Sequence, residues 1–123
     1  MYTPPIKIIA IAELPEDHAR GLSGVASLPP MSGMLFLLWE SRVLEFTMRD
    51  TLVPLDIIFA DSNGIVVRVI ERVPALSPEP QSSMYPASVA LEVPAGTCGD
   101  LGIARGSRML VSRDRNQAVF DVL

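Results

Sequence analysis

Apolar and polar positions alternate in short runs along this chain, and turn-forming residues separate the runs at intervals of about ten. Ile6 to Ala12 is nearly all apolar and rich in β-branched residues, the pattern of a strand covered on both faces. Met34 to Leu38 predicts a second strand and Val43 to Arg49 a third, joined through Trp39-Glu-Ser-Arg42. In the third, Leu44, Phe46 and Met48 alternate with Glu45, Thr47 and Arg49, so one face is buried and the other wetter. Leu55 to Ala60 and Ile65 to Arg72 follow, separated by Asp61-Ser-Asn-Gly64, a hairpin signal because Asn and Gly tolerate positive φ. Ser88 to Val93 alternates cleanly, and Arg108 to Ser112 with Ala118 to Val122 predicts a closing hairpin around Asp114-Arg-Asn-Gln.

Helical signals are short. Pro15 to Gly21 has proline where a first turn accepts it, acidic Glu16 and Asp17 beside the positive end of the dipole, and a terminating glycine. Thr97 to Leu101 predicts a second turn of helix ending at Gly102. Pro74 to Pro86, with its prolines and Ser82-Ser83, is expected to form neither a central strand nor a helix. The expectation is a single domain over residues 1–123, mostly β: a closed or nearly closed, largely antiparallel barrel of about eight strands with two short helices. Its core is expected to draw on Ile9, Leu35, Phe36, Phe46, Met48, Leu55, Ile57, Phe59, Val67, Val69, Val89, Leu91, Met109 and Val111.

Composition narrows the function classes. A net charge of −4, with basic residues scattered along the chain, gives nucleic acid no stripe to follow, so no nucleic-acid partner is expected. A lone cysteine, Cys98, allows no intrachain disulfide, and a lone histidine, His18, leaves no His/Cys zinc set; no cofactor is expected. Cys98 is expected to pack inward and His18 to lie on a solvated acidic helix. No apolar run approaches the roughly 20 residues of a transmembrane helix. As it stands the chain reads as cytoplasmic; removal of a leader would make it periplasmic or part of the cell envelope.

Asp17-His-Ala-Arg-Gly-Leu22, Gly33-Met-Leu-Phe36, Phe46-Thr-Met-Arg-Asp-Thr51, Pro54-Leu-Asp-Ile57, Tyr85-Pro-Ala87 and Leu91-Glu-Val-Pro-Ala-Gly-Thr97, then Leu101-Gly-Ile103 and Gly106, resemble the DUF192 family. The resemblance covers roughly residues 8 to 111, with the blocks in the same order. It implies a small, mostly bacterial or archaeal domain rich in β structure, with no established activity. Two departures are visible. Many relatives carry a cysteine pair before the Tyr-Pro block, where this chain has Ala75 to Tyr85 without cysteine, and the Arg-Gly-Leu-Met pattern appears as Arg20-Gly-Leu-Ser23.

Candidate chemistry gathers near one strand connection. Arg49, Asp50, Thr51 and Asp56 flank Pro54, and Tyr85 and Glu92 are expected to join them across the barrel, with Pro74 to Pro86 as a flanking lid. Short polar side chains at turns commonly bond local backbone N–H groups, which gives these residues a structural reading. In the functional reading Arg49 holds an anion while Asp56 and Glu92 supply carboxylates. There is no Gly-x-Ser-x-Gly elbow and no phosphate-binding glycine loop. The leading expectation is therefore a non-catalytic module for a small ligand or a protein partner. The alternatives are a hydrolase using the Asp56/Glu92 pair and a purely structural domain.

Overall fold

The computed structural model describes residues 1–13 and 25–122. Among the described residues, seven strands form one mixed sheet, curved into an open half-barrel, with one short helix: β1 Ile6–Ala12, β2 Ser32–Phe46, β3 Leu55–Ala60, β4 Val66–Val73, β5 Gln81–Pro94, α1 Thr97–Leu101, β6 Arg108–Ser112 and β7 Gln117–Asp121. The spatial order is β4-β3-β5-β2-β1-β7-β6. Only the β1–β2 pairing is parallel among the strand pairs described. The helix expected over Pro15 to Gly21, and His18 with it, lies outside the described residues.

The strand count falls from about eight to seven because the second and third expected strands are one, β2. Trp39-Glu-Ser-Arg42 contains no residue that demands a reversal, so the backbone runs through it extended and exposed. The partner strand is correspondingly long. β5 begins at Gln81, inside the segment expected to be irregular, and its first half pairs with the far half of β2, Phe46↔Gln81 to Arg42↔Ala87. Pro86 is tolerated there because the ladder is already interrupted, with register shifts between Leu37 and Arg42 and between Val43 and Glu45.

The sheet has an apolar cluster on each face. Leu35, Ile58, Leu91, Val93, Met109 and Phe120 belong to one, Phe36, Phe46, Met48, Leu55, Ile57 and Phe59 to the other. β3 is buried at all six positions, because its alternate side chains enter both clusters. Two expected core members are surface residues: Ile9 and Val111 are 45% and 38% exposed. Ile9 lies at the irregularity of β1 between Ile8 and Ala10, and Val111 lies on the edge strand β6. Val67, Val69 and Val89 are only partly buried.

The two edges of the sheet meet at one corner. Ile65 bridges Arg108, Met109 N–H donates to Gly64 O at 2.7 Å, and Val66 N–H donates to Ser107 O at 2.8 Å. Gly64 has φ 83°, and a Cβ there would stand 2.5 Å from Met109 O, so both the hairpin and this contact require glycine. The half-barrel is thereby drawn together at the β4–β6 corner without a continuous ladder.

Candidate functional site

Asp56 is the second residue of β3 and fully buried. Its Oδ1 accepts the Arg72 N–H at 2.8 Å, its Oδ2 accepts the Cys98 N–H at 2.9 Å, and the Gly96 N–H is shared between the two oxygens at 3.2 and 3.1 Å. One carboxylate thus ties β4 to the turn that opens α1. Gly96 makes that turn possible at φ 95°. The N–H groups form an anion-binding concavity of the kind that elsewhere holds phosphate, and here the occupant is the protein's own side chain. Cys98, beside it, is buried as expected; burial raises its thiol far above the ordinary range, and the Asp56 and Glu71 carboxylates add to the effect. That environment opposes a thiolate.

Glu92 does not meet Asp56. The register pairs Asp56 with Val93 and Ile57 with Glu92, and directly opposed residues share a face. Asp56 therefore points with Val93 into one cluster, and Glu92 points with Ile57 and Met34 toward the other. The sheet itself separates the two carboxyl groups, so they cannot share a proton or a substrate. Glu92 is 3% exposed, and its Oε1 has no hydrogen-bond partner among the described residues.

Burial pushes the Glu92 carboxyl from 4.5 up to about 7. The native state then holds a proton that the unfolded chain releases, so the contribution of this group to stability is fully present below pH 4.5 and is lost as pH rises to about 7. A shift of that size corresponds to on the order of 3 kcal/mol. Glu92→Gln is expected to remove this contribution; denaturant titrations across that range should show wild-type stability falling relative to that of the variant as pH rises.

The Arg49–Thr51 turn is built from local bonds. Arg49 N–H donates to Thr47 Oγ1 at 3.1 Å, Thr51 N–H to Met48 O at 2.9 Å, and Asp50 takes φ 59°. Arg49 and Asp50 are exposed and Thr51 is buried. Leu76 N–H donates to Thr51 O at 2.9 Å, which places the proline-rich segment alongside this turn. Arg49, Asp50 and Thr51 are thus together, while Asp56 faces the interior, on the opposite face of the sheet from Glu92.

Tyr85 belongs to a different cleft, of about 330 Å3, lined by Val67, Arg68, Val69, Glu71, Tyr85, Ile103, Ala104 and Arg105. Its position follows from a break in β5. The buried Ser83 hydroxyl donates to Tyr85 O at 2.7 Å and accepts the Leu44 N–H at 2.9 Å, while Met84 takes φ 60°. The opposite wall is equally fixed. After α1, Ile103 N–H donates to Cys98 O, Ser107 N–H to Ala104 O, and Gly106 N–H to Val66 O at 2.9 Å, so the Arg105 loop is fastened to β4. The Arg105 guanidinium lies over the Tyr85 ring, 4.7 Å from its centroid. Arg68 Nε is buried without a partner among the described residues.

Arg68 and Arg105 were not singled out by the sequence. The available signal was a lone charge inside Ile65-Val-Val-Arg-Val-Ile70, at odds with a covered β-branched run. A second cleft of about 330 Å3, lined by residues including Leu28, Pro30, Met31, Pro94 and Leu101, has Asp100 as its one ionisable side chain among the described residues. No group of three or more His, Cys, Asp or Glu residues suited to a metal ion occurs among the described residues. No described helix is long and apolar enough to cross a membrane.

The DUF192 family model, an uncharacterized ACR family, matches residues 6–111. A crystal structure from Sinorhizobium meliloti 1021 bearing the name "putative transcription regulator" is 29% identical, covers 87% of this chain and 89% of its own, and superposes with a TM-score of 0.78. A protein of unknown function from Novosphingobium aromaticivorans DSM 12444 is 26% identical over 91% of this chain and 74% of its own, with a TM-score of 0.76. No curated protein sequence matches this chain.

Proposed function

The chain belongs to the DUF192 family, and from that premise we propose that it is a non-catalytic binding module whose small ligand occupies the cleft between β4, Tyr85 and the Arg105 loop. The observation that carries this reading is the Arg105–Tyr85 stack, 4.7 Å from cation to ring, at the wall of that cleft. A flat aromatic surface and a cation are presented together there by backbone fixed on both sides. Pockets that hold small ligands combine apolar walls with a few placed polar groups, and about 330 Å3 lies at the lower end of their usual volume. The separation of Asp56 from Glu92 argues against a hydrolase built on that pair. The Arg49–Asp50–Thr51 turn is a secondary surface, exposed at Arg49 and Asp50 and spent largely on its own backbone.

A thermal-shift screen of metabolites tests the reading, since a ligand selective for the folded state raises the melting temperature. Ligands of the module are expected to lose their effect in Tyr85→Ala and to keep it in Asp50→Ala. The reverse pattern would return the site to the turn.

A further inference from the structure

We infer that the ligand of the Tyr85 cleft carries an oxyanion, a carboxylate or a phosphate ester, held between the Arg68 and Arg105 guanidinium groups; this rests on the cleft being the ligand site. A guanidinium has five N–H donors and no acceptor, so it needs an external acceptor. Arg68 sits in β4 with its Nε buried and unpartnered among the described residues. Glu71 lines the same cleft, yet neither arginine forms an ion pair with it. Its Oε1 lies instead near Gly99, 3.4 Å from where a Cβ would stand.

Arg105 is arranged in a complementary way. Its guanidinium carbon lies over the Tyr85 ring and no carboxylate among the described residues pairs with it, so its N–H donors can make a forked bond to a carboxylate or phosphate. Two arginines against one glutamate leave the cleft locally positive in a chain whose net charge is −4. One anionic group on the ligand would balance that excess. The walls from Val67, Val69 and Ile103 suit a compact apolar remainder about the size of one ring.

The probes are benzoate, phenyl phosphate and the neutral benzamide at millimolar concentration, followed by thermal shift and titration calorimetry on the full chain. Benzoate, phenyl phosphate or both should bind, and benzamide should not. Arg105→Gln, on an exposed loop, should weaken anion binding roughly tenfold to a hundredfold, as loss of a charge-assisted hydrogen bond does. Arg68→Gln should do the same, and Arg113→Gln should leave binding unchanged. Binding by benzoate alone identifies a carboxylate, and by phenyl phosphate alone a phosphate ester. Benzamide binding as tightly as benzoate, with loss only in Tyr85→Ala, would overturn the oxyanion inference and leave the cleft standing. Anion binding that survives both arginine variants and Tyr85→Ala would overturn both, and failure of both anions to bind would overturn the oxyanion inference.

Discussion

Asp56→Ala is expected to destabilise the fold by about 4 kcal/mol or more. The side chain accepts the N–H groups of Arg72, Gly96 and Cys98 in a fully buried position. Truncation leaves all three donors without an acceptor, and each such loss costs roughly 1–3 kcal/mol. The damage would concentrate where β4 meets the start of α1, because that carboxylate joins them. Asp56→Asn keeps one acceptor oxygen but turns an amide donor toward a backbone N–H, so it should recover only part of the loss. Urea titration measures both; a loss below about 1 kcal/mol for the alanine variant would show that the N–H groups find other partners.

Phe46→Ala is expected to cost roughly 3–5 kcal/mol, the usual range for truncating a buried aromatic. Phe46 is 3% exposed and its ring lies 4.8 Å from that of Phe36 and 5.8 Å from that of Phe59. It therefore joins β2 to β3 across β5 and anchors the cluster beneath the long β2–β5 arm. A cavity there is closed off by strand backbone on the sheet side, which limits relaxation. Guanidinium titration should show the midpoint falling with little change in slope, and a loss below about 1 kcal/mol would mean that the arm is loosely packed.

Local pattern was enough to place most strands. The alternation of Leu44, Phe46 and Met48 with Glu45, Thr47 and Arg49 is seen as buried against exposed, and α1 ends at Gly102 with φ 74°. Pattern failed where tertiary pairing decides. The exposed run Trp39 to Arg42 remains strand because β2 continues through it to pair again with β5, and residues 81–86 become strand by the same pairing. Ile9 and Val111 look like core in a covered strand but are exposed, Ile9 at a register shift in β1 and Val111 on the edge strand β6.

The candidate site was less legible for a related reason. Asp56 and Glu92 both sit in apolar strands, and only the β3–β5 register reveals that they point to opposite faces. Arg68 and Arg105 are 37 positions apart in the chain. They reach one cleft through the Val66 hydrogen bonds to Gly106 and Ser107, a contact with no local sequence signature.

The location of the ligand is tested most directly by mapping amide nitrogen–proton shifts of the labelled protein during a benzoate titration. Binding in the proposed cleft predicts saturable shifts at Val67, Arg68, Val69, Tyr85, Ile103 and Arg105, with Arg49, Asp50 and Thr51 unmoved. Shifts confined to Arg49, Asp50 and Thr51 would contradict it.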